Sequence, residues 1–172
     1  MLFQLVLFFV VCAKAFATIQ PPHEATFWNN RRSASAAEID QYVAAHNQIR
    51  KAFHVQSLQW SSDLAKKAQT WADHCQFEHS NGTLSEAPYG ENIVAATGSF
   101  PISIALGLFS SDEAGYNSTS PTYNHFTQVV WKSTKNLGCA FSKCNSIFGH
   151  NRLATMYVCL YQPPGNVIGQ AL

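Results

Sequence analysis

Five side chains in this sequence have the types that proton transfer and metal binding require: His79, Glu91, Asp112, Glu113 and His125. Two imidazoles and two or more carboxylates, carried on separate elements, can bind a divalent metal or poise proton transfers if the fold gathers them into one cleft. No His-Glu-x-x-His and no other compact ligand motif is present, so their spacing does not gather them by itself. Ser80 next to His79, with Glu91 as third member, suggests a nucleophile, but no nucleophile elbow or oxyanion donor accompanies it. His46 lies on the apolar face of a helix and reads as a hydrogen-bonded core histidine. His23, His54, His74 and His150 read as surface histidines.

The elements that would position these groups follow from pattern. Ser35-Ala-Ala-Glu38 is a capping-box signal that opens a helix carrying Ile39, Tyr42, Val43, His46, Ile49 and Phe53 on one face. A second helix, from about Ser62 to Cys75, turns Leu64, Ala68, Trp71 and Ala72 inward. Residues 76–101, rich in Ser, Gly, Pro and Asn, read as a long irregular segment carrying Tyr89-Gly-Glu-Asn-Ile93. A third helix is expected over Ile104 to Tyr116, weakened by Gly107 and Gly115. His125-Phe-Thr-Gln-Val-Val-Trp-Lys-Ser-Thr134 reads as a strand over 126–131, because Phe126, Val129, Val130 and Trp131 favour extended backbone. Further strands are expected near 137–142 and 153–161. Helices first and strands later indicate an α+β layered domain.

Residues 1–17 read as a secretory leader: an apolar run from Leu2 to Val11, too short to span a bilayer, ends at Ala15-Phe16-Ala17. Residues 18–37 form an arm, and residues 38–172 the domain. Arg31-Arg32 within the arm is either a processing site or an ordinary solvated pair. Eleven basic residues stand against ten acidic ones, a balance that gives nucleic acid or anionic membrane no electrostatic hold. Loss of Cys12 with the leader leaves Cys75, Cys139, Cys144 and Cys159, an even set that reads as two disulfides with three possible pairings. The spacing of Cys139 and Cys144 fits no common zinc finger. Asn81-Gly-Thr83 and Asn117-Ser-Thr119 are N-glycosylation sequons.

Beyond these patterns the chain resembles the CAP superfamily: cysteine-rich secretory proteins, antigen 5 and plant pathogenesis-related class 1 proteins. The matching segments include HNQIR (46–50), FEHS (77–80), YGENI (89–93), HFTQVVWKST (125–134), LGCA (137–140) and YVCLYQPPGNVIG (157–169), in the family's order. The resemblance is to secreted fungal members in particular. It implies a three-layer α-β-α sandwich and pairing of Cys75 with Cys144 and of Cys139 with Cys159. It implies that His79 and His125 share a cleft with two acids, a site for a divalent metal such as Zn or Mg, and that Thr127 and Gln128 are hydrogen-bonded across the sheet. Glu91 matches the family's first acid. A gapless match of the third helix puts Asp112 rather than Glu113 on the second. An aromatic caveolin-type spacing linked to sterols in the family is matched only in part, by Tyr123, Phe126 and Trp131.

The function this implies is a secreted, monomeric, non-enzymatic protein that binds and exports or sequesters sterols or fatty acids, with no transmembrane anchor. Phe100, Ile102 and Ile104 are the apolar residues offered for a lipid groove. Two alternatives are a metal-dependent extracellular protease using the His/acid cleft, and a defence-type protein acting on a host or cell-wall partner.

Overall fold

The computed structural model describes residues 33–117, 122–149 and 152–170. The leader, residues 18–32 of the arm with Arg31-Arg32, His23 and His150 lie outside the described residues.

Helix α1 (Ala36–Ala52) begins where the capping box puts it: the Ser35 hydroxyl accepts from the Glu38 N–H and the Glu38 carboxylate from the Ser35 N–H. The helix therefore starts two residues before the domain boundary set at residue 38. A two-residue strand β1 (Gln59–Trp60) leads into α2 (Ser62–Asp73), capped by the Ser61 hydroxyl. Strand β2 is Gly90–Thr97, helix α3 is Ile102–Ser110, and a 3-10 segment continues it over Ser111–Gly115. Helix α4 is His125–Val129, followed by the long strands β3 (Asn136–Cys144) and β4 (Ala154–Gln162).

The sheet order is β1-β3-β4-β2, with β1 parallel to β3 and the other pairings antiparallel. Alternation along β4 sorts the core into two halves. Tyr157, Cys159 and Tyr161 pack with Tyr42, Leu106, Phe109 and Phe126 of the helices on one side. Met156, Val158 and Leu160 pack with Leu64, Ala68 and Ala72 of α2 on the other. A strand buried on both faces reads as an unbroken apolar run, as β4 does. The result is the expected α+β, three-layer α-β-α sandwich.

Three elements differ from the pattern reading. Residues 126–131 are not a strand, because Asn124 nucleates a helical turn instead. Its side-chain oxygen accepts from the Thr127 N–H at 2.9 Å and the Thr127 hydroxyl accepts from the Asn124 N–H at 2.8 Å. This reciprocal cap outweighs the strand preference of two valines in a segment packed on all sides. Residues 90–97 are a strand rather than irregular chain, since eight consecutive residues pair with β4 from Gly90–Tyr161 to Thr97–Ala154. The third helix starts at Ile102 and tightens into 3-10 geometry after Ser110.

The disulfides are Cys75–Cys144 and Cys139–Cys159, the pairing the resemblance implies. Their sequence separations of 69 and 20 correspond, on a chain-entropy basis, to about 4 and about 3 kcal/mol, so the bond from the end of α2 to β3 contributes more.

Arg50, with no exposed surface, has no carboxylate partner among its hydrogen bonds. Its guanidinium donates instead to the carbonyls of Gln56 (2.6 Å), Val129 (2.8 Å), Trp131 (2.9 Å) and Thr134 (3.1 Å). Burial lowers its pKa to about 10, which leaves it charged at neutral pH. A planar five-donor fork can serve four carbonyls at once; an ammonium cannot. Arg50→Lys is therefore expected to cost about 3 kcal/mol, read as a lowered urea midpoint at unchanged slope. An unshifted midpoint would show that the four carbonyl contacts contribute no net stability.

Candidate functional site: two histidine–carboxylate pairs at the start of a strand

Glu91, second residue of β2, is the centre of the first pair. Its side chain is only 7% exposed, whereas the His79 imidazole it holds is 60% exposed. The His79 Nδ1–H donates to Glu91 Oε1 at 2.7 Å, the Ser80 N–H donates to the same oxygen at 3.0 Å, and the Ser80 hydroxyl donates to Oε2 at 2.5 Å. Because Ser80 gives its single hydroxyl proton to Glu91, the Tyr89 hydroxyl, 2.7 Å away, must donate to Ser80. Ser80 is buried and committed to a carboxylate, with no imidazole bond, so it has no base to activate it.

The second pair is His125 with Asp112. Asp112 Oδ2 accepts from His125 Nδ1–H at 2.8 Å and from the His125 backbone N–H at 3.2 Å. Phe109 stacks on the imidazole at 5.7 Å. Glu113 does not reach this pair; it lines a separate depression with Gln48, Ile49, Phe53 and Ser110.

The two pairs meet through β2. Glu91 holds His79, and the next residue, Asn92, donates its side-chain amide to the His125 carbonyl at 3.0 Å. A cavity of about 290 Å³ opens over the first pair, walled by His79, Tyr89, Glu91, Gln128 and Asn166. Thr127 and Gln128 are not bonded across the sheet, because they stand on α4. The Thr127 hydroxyl donates to Asn166 Oδ1 at 2.7 Å. Gln128 lies between two glycines: a Cβ at Gly90 or Gly165 would overlap its amide. Its Oε1 accepts from the Gly165 N–H at 2.9 Å, and its Nε2 donates to the Thr134 hydroxyl at 3.4 Å.

In both pairs a carboxylate takes the Nδ1 proton, which leaves Nε2 as the lone-pair nitrogen and orients the ring. No hydrogen bond engages either Nε2 among the described residues. Each ring thus presents a nitrogen of the type that ligates a divalent metal, with Glu91 behind His79 and Asp112 behind His125. The four groups do not by themselves form a compact ligand cluster. Among the described residues the one set of three His, Cys, Asp or Glu ligand atoms within 4.8 Å is His46, Cys139 and Cys159. That set is chemically unsuited, since its sulfurs are joined in a disulfide and both His46 nitrogens are hydrogen-bonded.

His46 is the core histidine expected, and its partners reach the site. Its Nδ1 faces the Tyr42 carbonyl at 2.8 Å, an acceptor only, so Nδ1 carries the proton. Nε2 then accepts from the Tyr161 hydroxyl at 2.8 Å, and Tyr161 accepts from Asn92 at 3.2 Å. Asn92, Tyr161 and Asn166 were not singled out from sequence, only the motifs that contain them, and Gln128 was expected to bond across the sheet rather than to Gly165 and Thr134. Of the residues offered for a lipid groove, Ile102 is 5% exposed and belongs to the core, Phe100 packs on Tyr157 at 4.9 Å, and Ile104 is 54% exposed. They do not share a groove: α3 turns Ile102 and Ile104 in different directions. The Asn81 and Asn117 side chains are exposed; His54 and His74 are surface residues.

The family model of the cysteine-rich secretory protein (CAP) family matches residues 43–161, and the chain belongs to that family. Fruiting body protein SC7 of Schizophyllum commune is 38% identical over 152 residues, spanning 80% of this chain and 70% of that one. Pathogenesis-related protein 1 of Arabidopsis thaliana is 37% identical over 137 residues, spanning 75% of this chain and 78% of its own. The crystal structure of NaASP2 with Zn2+ superposes with a TM-score of 0.65 at 20% identity, over 81% of this chain and 86% of that one, and shares its fold.

Burial, with the nearby Arg50 charge adding to it and the Tyr42 carbonyl opposing it, lowers the His46 pKa to about 4. The unfolded chain takes up this proton below about pH 6.5 while the folded chain refuses it until about pH 4, so the stability is fully present above pH 6.5 and falls through that window. The loss attributable to His46 is expected to reach about 3 kcal/mol at pH 4. Denaturant midpoints across pH 4–7 should slope less in His46→Gln than in the parent; parallel slopes would refute the assignment.

Proposed function

We propose that this protein is a secreted, non-enzymatic CAP-family carrier that takes a long-chain fatty acid in a groove between α1, β1 and α2. The observation that carries the reading is the groove itself. It encloses about 400 Å³ and is lined by Ile39, Trp60, Ala65 and Ala140, with Lys66 and Thr70 at the side. That size and apolar lining suit an acyl chain. The Lys66 ammonium forms no ion pair among the described residues, and the Trp60 indole N–H no hydrogen bond, so both are available to a carboxylate head. The depression holding Glu113 carries the opposite charge and suits such a head poorly. Secretion is supported by the apolar leader sequence and by two disulfides in the folded domain. No helix among the described residues is long and apolar enough to cross a membrane.

The two histidine–carboxylate pairs support a second property of the same protein, binding of zinc by His79 and His125. Imidazole suits zinc far better than magnesium. A bound zinc would supply Lewis acidity to a coordinated water, which is what a hydrolase reading would need. The commitment of Ser80, Glu91 and Asp112 to hydrogen bonds supports a cleft built to hold its shape.

Two measurements test these readings. Fatty acid titrated into the protein should quench Trp60 fluorescence saturably, and Ala65→Phe, which fills the groove, should weaken binding about tenfold or more. Equal affinity in the variant, or saturable binding of a sterol alone, would overturn the groove assignment. In zinc titrations, His79→Ala/His125→Ala should lose about tenfold or more in affinity while fatty-acid binding persists. Zinc-dependent peptide hydrolysis abolished by that double variant would overturn the non-enzymatic reading.

A further inference from the structure

Asn81 is the acceptor position of a sequon and also part of the wall of the His79–Glu91 cavity. It sits in the turn that follows His79, with φ at 51°, in the left-handed region that Asn tolerates well. Its side chain is exposed, and its Nδ2, the atom that would carry a sugar, donates to the His79 carbonyl at 3.0 Å. Thr83, the third sequon residue, donates its hydroxyl to the Ser80 carbonyl at 2.7 Å, which folds the sequon back against the two residues flanking the cavity. A substituent on Nδ2 therefore starts at the cavity rim, beside the most exposed member of the site.

We propose that Asn81 carries an N-linked glycan that roofs this cavity, leaving His79 open to ions and small solutes and closing it to polypeptides and membrane surfaces. The inference rests on the secretion reading above, because the transferase acts in the secretory route. Transfer forms the bond between Asn81 Nδ2 and the anomeric carbon of the oligosaccharide and breaks that carbon's bond to the diphosphate oxygen of a polyprenyl donor. The diphosphate leaves with the electron pair, and the amide proton passes to base. An amide nitrogen has two hydrogens, so the remaining one still serves the His79 carbonyl. The exposure of this turn leaves room for a bulky, solvated glycan. Asn117 carries the second sequon and is not among the residues lining this cavity, so a glycan there does not substitute for one at Asn81.

The test uses the full chain expressed through a secretory pathway. Peptide mass mapping before and after amidase deglycosylation should show sugar on Asn81, lost in Thr83→Ala and kept in Thr83→Ser. In a His79→Cys background, a small maleimide should react at similar rates with and without the glycan. A polyethylene-glycol maleimide should be slowed about tenfold by the glycan and released by Thr83→Ala but not by Asn117→Gln. A chain retained inside the cell would sink the secretion reading. A secreted chain with bare Asn81, or equal large-probe rates with and without sugar, would sink this proposal alone.

Discussion

The Arg50 guanidinium holds this structure together at the point where its elements converge. One buried cation from α1 is shared among four backbone carbonyls, two of them at the end of α4 and just beyond it and one in the turn leading to β3. A helix end presents carbonyls with partial negative charge, so the cation is well placed electrostatically. Because its partners are backbone groups, what Arg50 specifies is the path of the chain from 129 to 134. That path decides where α4 points, and with it where His125 stands.

Around this anchor the site is assembled mostly by uncharged groups. Asn124 shapes the turn that begins α4, Asn166 ties that turn to the C-terminal loop, and Gln128 fills the narrow space between Gly90 and Gly165. The charged residues come last: each carboxylate is spent on orienting one imidazole. Such an arrangement favours a fixed cavity over a reactive one. The cavity over His79 and Glu91 and the apolar groove beside α2 share no lining residue.

Much of this was legible wherever the cause is local. The Ser35 cap, the inward face of α2 and the apolar run of β4 each state their structure within a dozen residues. The strand at 90–97 was hidden because the Ser, Gly and Pro content of the preceding segment dominates the window, while the strand itself exists through pairing with β4, 57 to 71 residues away. Residues 126–131 misled because the deciding residue, Asn124, lies just outside the β-favouring run. Arg50 could not be read at all as an anchor, since carbonyl partners leave no mark in a sequence. The second acid of the cleft came from a family match, and spacing alone would not have chosen Asp112. Ile102 looked available for a ligand because an apolar residue before a helix looks the same whether the core or a ligand covers it.

The chain of hydrogen bonds from Asn92 through Tyr161 and His46 to the Tyr42 carbonyl admits a single direction, donor to acceptor, along its whole length. Each link fixes the next, as a row of one-way turnstiles does. The chain begins at a carboxamide N–H and ends on a backbone carbonyl, groups that do not exchange protons near neutrality, so it transmits position. The depth at which α4 sits against the sheet is thereby insulated from the acidity of the surrounding medium until that acidity is great enough to break the core itself.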